Sequence, residues 1–245
     1  MPRFYVPKLE IEEGRLKIDG PEVRHIRRVL RLKEGDEIIV FDGSGKEYEG
    51  EIVEKGTSWV TIMVRNTLLS RNESPAEIVL AQSLLKGEKM DYLIQKATEL
   101  GITGIIPFFS SRSVPLLEKS GRLKRNRRWD RIAAEASKQC GRAVVPKIEP
   151  IQGYPDVLQI PSPDSLRILL TERRGSRLKD VLGTSKVKRE VFFIVGPEGG
   201  LSPSEIELAE KSGAVAVNLG QRILRAETAS LCFLSILQYE LGDIG

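Results

Sequence analysis

From Asp36 to Asn66 the chain runs "DEIIVFDGSGKEYEGEIVEKGTSWVTIMVRN", short β-branched stretches broken by Gly, Asp and Ser. That pattern predicts hairpins and makes residues 1–70 β-rich. The polar stretch 66–77, punctuated by Pro75, predicts a linker. From Ile78 the rhythm becomes strand, helix, strand, helix. "EIVLAQSLL" (77–85) reads as a strand. "KMDYLIQKATELG" then sets Met90, Leu93, Ile94, Ala97 and Leu100 on one helical stripe, closed by Gly101 as a C-terminal cap. Further strands are expected at 102–109, 143–149, 166–171, 191–195 and 214–220, with a last helix through 227–241. Such alternation predicts an α/β domain with a mostly parallel sheet. The expected division is a β domain over 1–72 and an α/β domain over 73–245.

Composition narrows the class. The chain has 245 residues, 40% of them hydrophobic, enough for an ordinary core. No stretch reaches the roughly 18 to 20 apolar residues of a membrane span, and the N-terminus is too mixed in charge for a secretory signal. Cys140 and Cys232 stand far apart with no CxxC, so neither a disulfide framework nor a metal site is expected. A cytoplasmic protein is the default. The net charge is only +4, yet residues 73–145 carry 13 basic against 8 acidic side chains while the flanking parts balance. A positive patch suits a protein that meets a phosphate backbone on one face.

The chemistry concentrates late. In "VFFIVGPEGGLSPSE" (191–205) five apolar residues run into Gly196-Pro197-Glu198-Gly199-Gly200. Ser202-Pro203-Ser204-Glu205 then reads as a capping box with Pro at the first helical position. A parallel sheet binds ligands at the carboxyl ends of its strands. Phosphate would suit the helix N-terminus, but Glu198 would repel it, so a ligand with positive charge or hydroxyl and amine donors fits better. A second strand end follows in "NLGQRILRAETAS" (218–230), with Thr228 as a candidate cap. A third, "LLTERRG" (169–175), could join them around one pocket, with Leu219, Ile223 and Leu224 as apolar walls. The bland alternative is a set of tight turns. No GxGxxG follows the first strand of the domain, which counts against NAD enzymes and Rossmann-type methyltransferases.

"VGPEGGLSPSE" and "LGQRILRAETA", with "RHIRRVLRLKEGD", "QSLLKGEKMDYLIQKATELGI" and "RWDRIAAEASKQCGR", closely resemble the RsmE family. These are SPOUT-class bacterial methyltransferases acting on uridine N3 in 16S, small-subunit ribosomal RNA. The resemblance covers nearly the whole chain. It implies a PUA-like β-barrel, then an α/β domain threaded into a trefoil knot, and a homodimer acting on ribosomal RNA or the 30S subunit. It implies S-adenosyl-L-methionine as cofactor, held by Leu170, Thr171, Gly196, Pro197, Glu198, Gly199, Gly200, Leu219, Gly220, Arg222, Ile223, Leu224 and Arg225. That donor carries a sulfonium and no phosphate, which answers the puzzle of Glu198.

The only histidine, His25, lies in the other domain. Arg225 is therefore expected to stabilise charge developing on the uracil oxygens, with Glu198 or Glu227 ordering the site or accepting the proton. For RNA, Arg24, Arg28 and Arg31 fall at helical spacing with Val23, Ile26 and Leu30 turned inward. The expected RNA-contacting set is Arg3, Arg24, His25, Arg28, Arg31, Lys86 and Lys89. A second basic run, 121–131, has six basic residues and Trp129, which could equally anchor its helix in the core. The rival readings are a non-catalytic ribosome-assembly factor and a SPOUT methyltransferase acting on another RNA.

Overall fold

The hairpins form. The computed structural model describes residues 1–113, 119–172, 175–184 and 190–245, and these divide into two compact units. The first comprises Met1–Glu73 with Ala134–Val145, the second Ser74–Ala133 with Pro146–Gly245.

In the first unit β1 (Arg3–Tyr5), β2 (Ile11–Glu12), β3 (Arg15–Asp19), α1 (Pro21–Arg24), β4 (Glu37–Phe41), β5 (Lys46–Lys55) and β6 (Trp59–Leu69) follow in order. The strands form one sheet, ordered β1-β4-β5-β6-β3-β2. Period-two alternation sends Leu16, Ile18, Ile38, Val40, Ile52, Val60 and Ile62 into a core around Phe4. Register shifts between Glu49 and Gly50 and between Ile52 and Glu54 bend the long β5–β6 ribbon. That ribbon corrects the expected linker: residues 66–69 are strand, paired with 46–49 of β5, leaving only 70–76 as a connection.

The arginine segment also departs from expectation. Helix α1 lasts four residues and passes into a π-helical turn, His25–Val29. Leu30 N–H donates to the His25 carbonyl and Leu32 N–H to the Ile26 carbonyl, both at 3.0 Å. The wider turn breaks the i, i+4, i+7 face. Val23 and Ile26 are buried as expected, but Leu30 is exposed and Leu32 packs on the core in its place. Arg31 lies outside the helix, at φ 53°.

Residues 134–145 complete this unit. The Glu73 carboxylate accepts from the amides of Ala143 and Val144 at 2.9 Å and from Arg142 Nε at 3.0 Å. Lys138 Nζ pairs with Glu22 at 2.9 Å. Arg3 is mostly withdrawn from solvent, bonded to Glu47 at 3.0 Å and to the Arg142 carbonyl at 3.1 Å.

The second unit contains β7 (Glu77–Ser83), α2 (Lys89–Glu99), β8 (Gly104–Phe109), α3 (Lys119–Cys140, whose last turns belong to the first unit), β9 (Lys147–Ile148) and β10 (Gln152–Gly153). After these come α4 (Tyr154–Val157), β11 (Leu166–Leu170), β12 (Ser176–Arg177), α5 (Leu178–Thr184), β13 (Glu190–Val195), α6 (Pro203–Lys211), β14 (Val215–Asn218) and α7 (Ala226–Leu241). The sheet order is β10-β8-β7-β13-β11-β14-β12, with β9 beside β8, and every pairing recorded for it is parallel. Strands buried on both faces explain the unbroken "VFFIV".

The strand expected over 143–149 shrinks to Lys147–Ile148, because Pro146 lacks a donor and the 143 and 144 amides serve Glu73. Trp129 is buried and its Nε1 donates to Asp91 Oδ1 at 3.0 Å, so it anchors α3 to α2. Gly101 takes the left-handed conformation, φ 80°, that ends α2. No helix among the described residues is long and apolar enough to cross a membrane.

Candidate functional site

Strands β13, β11 and β14 are immediate neighbours, so their carboxyl ends open side by side, about 4.8 Å apart from strand to strand. Between those ends lies a cavity of about 930 Å³. All thirteen residues expected around the cofactor line it: Leu170 and Thr171 after β11, Gly196 to Gly200 after β13, and Leu219, Gly220 and Arg222 to Arg225 after β14. Arg173 and Arg174, in the stretch expected to join them, lie outside the described residues.

Backbone geometry makes the glycines necessary. The Gly200 amide donates to the Pro197 carbonyl at 2.8 Å, and Gly200 sits at φ 68°. A Cβ on Gly196 would fall 3.0 Å from the Leu201 amide nitrogen. Gly220, at φ 112°, is held by the Asn218 side chain, which accepts from its amide at 2.7 Å. Asn218 Nδ2 in turn donates to the Glu172 carbonyl at 2.8 Å, joining the ends of β14 and β11.

Helix α6 starts as predicted. Ser202 Oγ accepts from the Glu205 amide and Glu205 accepts from the Ser202 amide, a complete capping box. Glu205 also accepts from the amide and hydroxyl of Ser111 at 2.7 and 2.9 Å. Burial pushes the Glu205 carboxyl upward, but these hydrogen bonds outweigh it and hold the group below its usual range. Fixed in this way, the turn after β8 brings Arg112 over the glycines, where Nη1 donates to the Gly199 carbonyl at 3.0 Å. Helix α7 begins differently from expectation. Its N-cap is Arg225, whose side chain makes no capping bond, and Thr228 lies one turn inside.

Behind the cavity, Gln82 is fully buried. Its Nε2 donates to the Ser83 carbonyl at 3.1 Å and the Gly196 carbonyl at 3.3 Å, and its Oε1 accepts from Ser230 Oγ at 2.6 Å. One amide side chain thereby ties β7, the glycine turn and the first turns of α7. Glu198 is likewise held, accepting from the Lys86 amide at 3.1 Å and from Lys89 Nζ at 3.0 Å. Burial opposes ionisation of Glu198, yet the backbone amides and Lys89 prevail and its pKa falls. The hydrogen bond to Glu198 raises that of Lys89.

This pairing changes the argument from charge, because Glu198 is compensated by Lys89. The wall carries four carboxylates (Glu172, Glu198, Glu207, Glu210) and four cations (Lys89, Arg112, Arg222, Arg225). Lys89, expected among the RNA contacts, stands in this wall. Glu227, expected beside Arg225, does not line the cavity. It sits behind Lys89, 3.6 Å from Nζ, with Oε2 buried and unbonded. Arg225 is exposed and forms no salt bridge among the described residues. Lys86 is exposed.

In the first unit, Arg24, Arg28 and Arg31 are exposed, while His25 is half-buried with its ring edge-on to Phe4. Sequence reasoning missed Arg112, Glu172, Glu207, Glu210 and Gln82. Glu207 and Glu210, one helical turn apart on the capped helix, could have been found by spacing; Arg112 enters from a turn and leaves no periodic trace.

Residues 72–238 match the family model described as RNA methyltransferase domain, and residues 18–63 that of the RNA methyltransferase PUA domain. The fold and its cavity thus define an RNA methyltransferase with a PUA domain. Ribosomal RNA small subunit methyltransferase E of Bacillus subtilis is 33% identical over 98% of this chain and 97% of its own. The protein of that name from Synechocystis is 32% identical, over 93% of this chain and 74% of its own. The crystal structure of a Neisseria gonorrhoeae ribosomal RNA small subunit methyltransferase E bound to S-adenosyl methionine superposes with a TM-score of 0.89. It is 35% identical and covers all of both chains. The chain belongs to the ribosomal RNA small subunit methyltransferase E family.

Proposed function

We propose that the chain transfers a methyl group from S-adenosyl-L-methionine to N3 of a specific uridine in 16S, small-subunit ribosomal RNA. The observation that carries this reading is the meeting of three strand ends in one cavity of about 930 Å³, within the usual range for small-molecule sites. The residues present fit the donor. A wall of four carboxylates and four cations suits a zwitterionic amino acid with a sulfonium, the glycine turns leave room for a purine ring to approach the backbone, and Leu219, Ile223 and Leu224 offer apolar faces. When bound, the donor supplies an electrophilic methyl group.

The chain's own residues supply position and charge. Arg225, exposed at the cavity and unpaired among the described residues, stabilises negative charge growing on the uracil oxygens. Of the two carboxylates only Glu198 lines the cavity, and, held ionised by Lys89 and the backbone amides, it orders the site rather than receiving the imide proton. Glu227 supports Lys89 from behind. Arg24, Arg28 and Arg31, with His25 and Lys86, form the RNA-contacting set, while Arg3, committed to Glu47 and the Arg142 carbonyl, drops out of it. A β domain over 1–72, a knotted α/β domain over 73–245, a homodimer, a 30S substrate and a cytoplasmic location belong to the same proposal.

Calorimetry with S-adenosylmethionine and mass spectrometry of ribosomal RNA fragments after labelled transfer test it. Donor binding with label on N3 of one small-subunit uridine is the expected result. No binding at millimolar donor would point to an assembly factor instead, and label confined to transfer RNA to a different substrate.

A further inference from the structure

In the first unit, Val29 and Leu30 are 66% and 42% exposed. They occupy the end of the π-helical turn, between Arg28 and Arg31. Arg24, Arg28 and Arg31 are exposed, and among the described residues none forms a salt bridge or a side-chain hydrogen bond. Arg27 differs, since its Nη1 is spent on the Thr57 carbonyl at 2.7 Å. The segment is held in this form at a local cost. A left-handed backbone, φ 53° at Arg31, is uncommon for a residue with a long side chain. It follows the π turn that sends Leu32 rather than Leu30 to the core. The result is an apolar pair standing among three free guanidinium groups.

A patch that only tracked phosphates would need no aliphatic side chains at its centre. Phosphate contact asks for cations alone. In a stacked A-form helix the base faces are covered and the deep groove is closed to side chains, so a duplex is recognised by shape and backbone across its minor groove while bases are read where they are unpaired. An aliphatic pair gains from RNA only where a base face is bare.

We propose that the Arg28–Arg31 turn is a docking surface for unpaired RNA, with Val29 and Leu30 packing on the face of an unstacked base while Arg24, Arg28 and Arg31 hold the flanking phosphates. This rests on the reading that the chain acts on ribosomal RNA, and it specifies which part of such an RNA the first unit grips: a loop, bulge or splayed junction rather than a continuous duplex.

The test uses the full chain and two RNA probes, a stem–loop and a perfectly paired duplex of the same length and composition, each titrated over a salt series. The wild type is expected to prefer the stem–loop. Val29→Ser/Leu30→Ser should lower stem–loop affinity about fivefold, the scale of a partly buried aliphatic contact, collapse the preference and keep the salt slope. Arg24→Ala/Arg28→Ala should lower the slope on the stem–loop by about two. All four side chains are exposed, so thermal melting should be unchanged and serves as the folding control.

An equal loss on both probes, or none, would overturn the base-packing role. A salt slope indifferent to the arginine pair would remove the surface from RNA while leaving donor binding and methyl transfer untouched. A change in oligomeric mass caused by the serine pair would assign the turn to a second copy of the chain. A wild type that binds neither probe would refute the RNA reading itself, and this inference with it.

Discussion

Ser230 Oγ donates to Gln82 Oε1 across 2.6 Å inside the core, and the same glutamine donates to the Gly196 carbonyl at 3.3 Å. A helix near the C-terminus and the first strand of the unit thus set the orientation of one turn. Replacing Gln82 by Leu leaves buried groups without a partner, a cost of about 1–3 kcal/mol. Denaturant unfolding should register that loss, and calorimetry should show S-adenosylmethionine affinity falling about tenfold beyond it. Reduced stability with unchanged donor affinity would restrict Gln82 to packing.

Arg225→Ala removes one of the wall's four cations, so it should weaken donor binding modestly and, at saturating donor, slow methyl transfer about 100- to 1,000-fold, as loss of one preorganised charge-stabilising group does. Single-turnover kinetics with saturating donor separates the two effects. A wild-type rate would remove Arg225 from the chemistry.

The Lys89–Glu198 pair should be insensitive to pH across neutrality. Glu198 is depressed, so its contribution is complete above the ordinary carboxylate value and is lost as pH falls through the lower folded one. Lys89 is raised, so its contribution is complete below the ordinary lysine value and is lost as pH climbs through the higher folded one. Donor affinity measured from about pH 6 to about pH 9 should therefore show no step from this pair. A step that vanishes in Lys89→Met would contradict the pairing.

Trp129→Phe keeps an aromatic ring in the core but removes the pyrrole half of the indole and with it the bond to Asp91. The expected loss is about 1–2 kcal/mol of stability with the salt slope of RNA binding unaltered. A lower slope would return the 121–131 run to the RNA interface.

How much of this was written in the chain's pattern can be judged from particular residues. The capping box at Ser202 and the glycine cap at Gly101 were legible because each depends on residues within one turn. The three late strand ends were legible as ligand-bearing because a parallel sheet fixes which ends bind. Their convergence needed the strand order β13-β11-β14, which sequence does not print. The Arg24–Arg31 face departs from the helical period because a π turn interrupts it and moves the inward position from Leu30 to Leu32. Thr228 is not the cap, because Arg225 enters the helix from an extended conformation, φ −64° and ψ 151°. Lys89 and Glu198 lie 109 positions apart, and no local rule could have neutralised one with the other.

The return of residues 134–145 to the first unit has a bearing on how the protein is made. Glu73 waits for amides at 143 and 144, and Glu22 for an ammonium at 138. A growing chain usually settles its leading domain while the rest is still being translated. Here the unit begun by residues 1–73 must stay unfinished until Val145 has emerged.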